Sequence, residues 1–334
     1  MDLTRTARLA GLMVAGAVIL SACGGSAATQ APAATEAPAA TEAPAATEAP
    51  ATGDVTIGVA FPNSDTFLSR VQDGMKTKAE ELGVTVNIVD AQDDTAKQLS
   101  QVENFVSQGV DAIVVVPVDT SAAQPMADAA KAANIPLVFV NRNPSIAGVP
   151  YVGSDSLYAG QVEMEELAKL AGNKGDVVIL QGQVTNEAAV LRTQGCNEKA
   201  EAAGMKVVAT QSGEWDRAKG QAITENWIQS GTLKEGMVVC ANNDEMALGA
   251  INALKAAKLL DTVFVGGVDA TSEALAAMKA GDLEVTVFQD AVGQGKGGVD
   301  AAVKLMAGET VPDYVDIPYV LVTPANMADY MGAN

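Results

Sequence analysis

The sequence predicts an α/β fold built from two doubly wound, parallel-sheet lobes, and three observations lead there. Short aliphatic runs alternate with amphipathic stretches along nearly the whole chain after residue 54. The runs are continuous rather than alternately polar and apolar, as in strands buried on both faces of a parallel sheet. Hydrophobic residues make up 48% of the chain and aromatics only 4%, which suits an aliphatic core covered by helices.

The first fifty residues stand apart. Arg5 and Arg8 precede an apolar run from Leu9 to Leu20 that ends in Leu20-Ser21-Ala22-Cys23, the layout of a secretory signal followed by a bacterial lipobox. The run is too short to span a membrane as a stable helix, and Cys23 is expected to become a lipidated first residue. From Thr35 onward "TEAPAATEAPAATEAP" repeats every six residues; its prolines break helices and its alanines bury too little to repay ordering. Residues 1–22 therefore read as signal peptide and 23–53 as lipidated cysteine plus an extended acidic tether. The protein is expected to be exported and held by that lipid at the outer face of the cell membrane, or in the periplasm.

Strands are expected at "VTIGVAF" (55–61), "VTVNIVD" (84–90), "AIVVVPV" (112–118) and "PLVFVN" (136–141). The helix over 94–108 puts Leu99, Val102 and Val106 on one face, with Asp94 as N-cap and Gly109 closing it. Further strands follow at "DVVILQG" (176–182), "MKVVATQ" (205–211), "MVVCAN" (237–242), "TVFVGGV" (262–268) and "LEVTVFQ" (283–289). This exceeds what one small doubly wound sheet usually holds, so the chain divides into two lobes near "YVGSDS", residues 151–156.

In open α/β sheets ligands bind beyond the carboxyl ends of the strands. Asp65 and Phe67 follow the first strand, Asn141 and Arg142 the fourth; Asn186, Arg192 and Trp215 follow later ones, then Asn243, Asp269 and Gln289. Amides, carboxylates and guanidinium forks satisfy vicinal hydroxyls, and flat rings cover the C–H face of a sugar. Asn243 and Asp269 could singly be helix N-caps, but Arg and Trp do not cap helices. Asp65 and Asp269, with amide or arginine neighbours, are expected to be ionised acceptors. Trp227, at helical spacing from Ile223, reads as core. Cys196 and Cys240 read as two buried free thiols, although spacing alone does not exclude a disulfide.

From Val55 to about Val322 the chain resembles the periplasmic monosaccharide-binding proteins of ABC transporters, of the ribose- and galactose/glucose-binding type. "NDEMALGAINALKAA", "VGGVDATSEALAAMKAGDLEVTV", "YVGSDSLYAG" and "WDRAKGQ" carry the resemblance. It implies the type I periplasmic binding protein fold with a three-strand hinge near Ser154, Asp290 and Pro318. The implied lobes are residues 54–155 with 290–317, and 156–289 with 318–334. It also implies Phe67 and Trp215 as the faces of a sugar clamp, with the other strand-end residues as polar contacts. The implied partners are a monosaccharide (pentose, hexose or inositol-like polyol) and ABC permease subunits. Val116, Asn186 and Ala188 depart from the galactose-binding pattern, and "AGNKGD" lacks the oxygen ligands of that group's calcium loop. The pair Asn141-Arg142 looks more like the pentose-binding side.

Two other classes fit less well. "GQGKGG" (293–298) matches a dinucleotide fingerprint but follows the last long strand instead of opening the first βαβ unit. No Walker loop, nucleophile elbow or HExxH occurs, and the chain has no histidine, so neither cofactor nor metal is expected. A carboxylate-dependent carbohydrate-active enzyme is the catalytic alternative; a sugar-sensing receptor component feeding chemotaxis or signalling is the other. A net charge of −20 disfavours nucleic acid and anionic headgroups as partners.

Overall fold

A computed structural model describes residues 55–332. Six parallel strands, β1 (Thr56–Phe61), β2 (Thr85–Asp90), β3 (Ala112–Val115), β4 (Leu137–Val140), β5 (Tyr151–Gly153) and β11 (Tyr314–Asp316), form a first sheet in the order β11-β5-β4-β3-β1-β2. A second parallel sheet holds β6 (Val177–Gln181), β7 (Val207–Ser212), β8 (Val238–Ala241) and β9 (Phe264–Gly266) in the order β7-β6-β8-β9. An antiparallel pair, β10 (Thr286–Phe288) and β12 (Val320–Val322), extends its β9 edge through bridges Gly266–Val285 and Asp269–Phe288. Burial follows sheet position: β3, β4 and β8 are buried throughout, whereas edge strands β2 and β7 expose alternate residues.

Nine α-helices cover the sheets among the described residues: α1 (Thr66–Leu82), α2 (Thr95–Gln108), α3 (Gln124–Ala132), α4 (Ser156–Leu170), α5 (Glu187–Ala202), α6 (Arg217–Gln229), α7 (Asp244–Ala257), α8 (Ser272–Ala280) and α9 (Ala291–Met306). Most start just beyond a strand and carry an oxygen cap, including Asp65 on α1, Asp94 on α2, Asp155 on α4, Asn243 on α7 and Thr271 on α8. The expected cap and stop of α2 are both present, since Gly109 takes the left-handed conformation with φ 68°. Trp227 is buried in the core against α7, as its spacing implies.

Three helix pairs approach too closely for a side chain between them. A Cβ on Gly295 of α9 would lie 2.1 Å from the Val71 carbonyl of α1, and one on Gly74 2.3 Å from the Val292 carbonyl. Gly160 of α4 faces Gly195 of α5 in the same manner, and Gly220 of α6 faces Gly249 of α7. The glycines of "GQGKGG" thus lie within a helix and serve packing, which removes the dinucleotide reading.

The chain passes between the sheets three times: from β5 to α4, from β10 to α9, and from β11 to β12. The strands missing from the sequence reading, β5, β11 and β12, are three residues each and flank these passages. The cysteines need a correction: Cys196 of α5 and Cys240 of β8 form a disulfide, not two free thiols. Cys196 lies on the inner face of α5 and Cys240 points to that side of β8, so packing the helix on the sheet brings the sulfurs together.

Candidate functional site

The carboxyl ends of both sheets face one small cavity whose walls come from both. Nine of the ten strand-end residues singled out by sequence line it: Asp65, Phe67, Asn141, Arg142, Arg192, Trp215, Asn243, Asp269 and Gln289, with Leu68 and Ala188. Asn186 does not reach the wall. It precedes α5 fully buried, with Nδ2 3.4 Å from Gln183 Oε1, and Ala188 occupies the wall instead.

Local structure explains how each side chain is held. Asp65 caps α1 by accepting from the Leu68 N–H at 2.7 Å and lines the cavity from the start of that helix. Arg142 is buried and donates to the Pro117 carbonyl at 2.9 Å, so its fork is fixed to the end of β3. Arg192 donates to the Asn242 carbonyl at 2.6 Å, to Gln289 Oε1 at 2.8 Å and to the Tyr319 hydroxyl at 2.6 Å. Its guanidinium lies 5.6 Å from the ring centres of both Trp215 and Tyr319. Arg192 Nε and Trp215 Nε1 are buried donors without a partner, a costly arrangement unless something in the cavity accepts from them.

Asn243 does two jobs. Its Oδ1 caps α7 by accepting from the Met246 N–H at 3.1 Å, and its Nδ2 donates to the Trp215 carbonyl at 3.3 Å. Asn242 and Asp244 beside it are structural: Asn242 Oδ1 accepts from the Gly182 N–H, and Asp244 accepts from the Thr271 N–H and the Thr286 hydroxyl. The indole of Trp215 requires Gly182, where a Cβ would stand 2.2 Å from the ring. After β9 the cap is Thr271, so Asp269 is not a helix cap.

Asn141, Trp215 and Asp269 have φ of 66°, 67° and 125°, backbone that non-glycine residues rarely adopt. Such strain concentrates where function holds side chains in place. Burial pushes the Asp269 carboxyl up from its ordinary range, and the neighbouring Arg192 guanidinium pulls it back toward the ionised form. Asp65 shifts the same way, opposed by the Leu68 N–H and Arg142; its outer edge stays exposed to solvent. Burial lowers Arg142, offset in part by Asp65. Burial also works against Arg192, but Tyr319 and Asp269 outweigh it and raise the net value.

Tyr319, Asn242 and Gln294 support the site but were not read from sequence as part of it. Asn242 closes the expected strand at 237–242, whereas Tyr319 and Gln294 carry no positional signal in an unpatterned crossing and a helix interior. One group with metal-ligand chemistry occurs among the described residues, Glu163 with Cys196 and Cys240, and both of its sulfurs are committed to the disulfide.

Two α/β layers closing on a polar cavity with an aromatic wall, joined by three chain passages, define a two-lobe solute-binding protein. The chain belongs to the periplasmic binding protein family, whose domain model matches residues 57–310. A Rhizobium meliloti protein provisionally described as rhizopine-binding is 46% identical over 280 residues, covering 81% of this chain and 90% of that one. The ribose import binding protein of Bacillus subtilis is 33% identical over 272 residues, covering 81% and 88%. An ABC transporter solute-binding protein from Bacillus halodurans, solved with bound myo-inositol, superposes with TM-score 0.82 at 44% identity over 86% of this chain and 100% of that one. These relatives are binding proteins, not enzymes. No described helix is long and apolar enough to cross a membrane.

Proposed function

We propose that this chain is a lipid-anchored, extracytoplasmic receptor that closes on one monosaccharide or cyclic polyol and delivers it to an ABC permease. The supporting observation is the cavity itself: Asp65, Phe67, Asn141 and Arg142 approach from one sheet, and Arg192, Trp215, Asn243, Asp269 and Gln289 from the other. Vicinal hydroxyls fit the fixed acceptors and forks, and the ring C–H face fits Trp215 and Phe67. The lobes are residues 54–155 with 290–317 and 156–289 with 318–334, hinged near Ser154, Asp290 and Pro318. A ligand bonded to both lobes gains contacts only in the closed form, and that differential affinity drives closure. Cys23, outside the described residues, carries the lipid.

The 44%-identical structure with bound myo-inositol puts inositols first among ligands to try. The test is a thermal-shift and calorimetry panel of inositols, aldopentoses and aldohexoses on the purified full chain, with indole fluorescence as a second readout. Binding should be micromolar or tighter for at least one, and Trp215→Phe should remove most of the fluorescence response while Trp227→Phe keeps it. No binding by any polyol would overturn the reading.

A further inference from the structure

We infer that Gln294 is a positioning residue that fixes Asn141 as a hydrogen-bond acceptor in the cavity and ties that acceptor to the chain passages between the sheets. The inference rests on the proposed function for what the acceptor meets, but not for the geometry.

Gln294 is fully buried on α9, inside the glycine-rich run whose glycines let that helix lie against α1. Asn141 Nδ2 donates to Gln294 Oε1 at 2.9 Å, Gln294 Nε2 donates to Ser154 Oγ at 2.9 Å, and Ser154 Oγ donates to the Ile317 carbonyl at 2.5 Å. A carbonyl cannot donate, so Ile317 sets the direction of the whole chain. The Ser154 hydroxyl spends its one proton on Ile317 and must accept from Gln294. Gln294 then turns its NH2 to Ser154 and its oxygen to Asn141. Asn141 must spend its NH2 on Gln294, which directs Oδ1 away from α9. Asn141 is a wall residue of the cavity, so the group it offers there is an acceptor. The Asn141 backbone is fixed independently: φ is 66°, the N–H donates to the Val152 carbonyl at 2.9 Å, and the carbonyl accepts from the Tyr151 hydroxyl at 2.9 Å.

The same relay spans two of the three passages. Ser154 follows β5 on the way to α4, Ile317 follows β11 on the way to β12, and α9 itself begins just after the third. Across the cavity Arg192 holds Gln289 and Tyr319, which belong to the β10–α9 and β11–β12 passages. Both walls are therefore bonded to the segments on which an opening motion turns. The ligand class follows from the polarity: the group facing Asn141 Oδ1 is a donor, a hydroxyl or amine proton.

The test uses the full chain with myo-inositol and D-ribose as probes. Gln294→Leu should weaken the better-bound probe about tenfold in the wild-type background and leave affinity unchanged in an Asn141→Ala background, while lowering melting temperature in both. An equal loss of affinity in both backgrounds would show that Gln294 acts on stability alone and overturn the inference. Ser154→Ala, a smaller change, should show the same dependence on Asn141 if Gln294→Leu fails to fold. A readout without ligand separates this inference from the proposed function. The Asn141 side-chain NH2, observed by 15N NMR, should exchange slowly with water in the parent and fast in Gln294→Leu or Ser154→Ala. Unchanged exchange in both variants overturns the inference, whatever the ligand panel gives.

Discussion

Glu187 begins α5 at the position where a helix dipole favours a carboxylate, yet its pKa is pushed up to about 7. Burial is the main cause and Asp155 adds to it; the Asn143 N–H, Arg192 and the Ser156 hydroxyl pull the other way, and Tyr151 and Tyr319 also feel its charge. Its Oε2 is buried without a partner. Asn143 follows β4 and Glu187 follows β6, so the interaction joins the two sheets and, on the proposed lobe closure, is weakened when the cleft opens. Opening rehydrates the carboxyl and returns it toward 4.5, so the closed form holds the extra proton. Help to closure is then complete below about 4.5 and lost as pH rises through about 7. Ligand affinity should fall by up to about a hundredfold from pH 5 to pH 8, since 4.5 and about 7 lie roughly 2.5 units apart and one unit of pKa is a factor of ten. Asp269, also raised by burial, works in the same direction. Calorimetry in two buffers of different ionisation heat should detect proton uptake on binding near pH 6, reduced in Glu187→Gln. Equal uptake by both proteins would mean that another group titrates.

At the level of elements, the legible part of the chain was whatever carries a continuous apolar run or a cap. The long strands and α2 with Asp94 and Gly109 were written in local chemistry, and nine of ten strand-end residues meet in one cavity because parallel strands all end on one side. The short strands β5, β11 and β12 were not legible, because three residues show no period and their pairing is decided by distant partners. The disulfide depends on helix-on-sheet packing across 44 residues, and the Asp269 pKa on burial; neither has a local signature. Helix glycines were likewise silent until their neighbours were known. A Cβ on Gly195 would lie 2.5 Å from the Leu157 carbonyl and 2.7 Å from the Gln161 nitrogen, so α4 and α5 must separate to admit it. Overpacking of this kind costs about 1–3 kcal/mol, or several degrees of melting temperature for a protein of this size. Because α5 also carries Arg192, Gly195→Ala should weaken ligand binding as well as lower the melting temperature. Gln194→Ala, exposed on the same helix, should do neither, and a Gly195→Ala protein with parental melting temperature and affinity would show that the helices yield freely.

For the whole molecule, the question is what keeps an acidic globule at a membrane. The chain carries a net charge of −20, so an anionic lipid surface repels it, and no described helix is long and apolar enough to cross a bilayer. On the proposed reading, attachment comes from the first fifty residues, where Cys23 follows Leu20-Ser21-Ala22. A single acyl chain gives only marginal, reversible binding with an association constant of about 10⁴ M⁻¹, so a stable anchor needs more than one chain on that residue. Such an anchor is hydrophobic, and salt does not release it, whereas detergent does. In cells expressing the full chain, the parent should stay in the membrane fraction through a high-salt wash, and Cys23→Ser should be recovered in the soluble fraction. The proposed ligand residues run from Asp65 to Gln289, more than forty positions beyond Cys23, so the soluble variant should bind the same polyol with the parent's affinity. Retention of Cys23→Ser in the washed membrane would assign the attachment to the apolar run Leu9 to Leu20, uncleaved, in place of a lipid on Cys23.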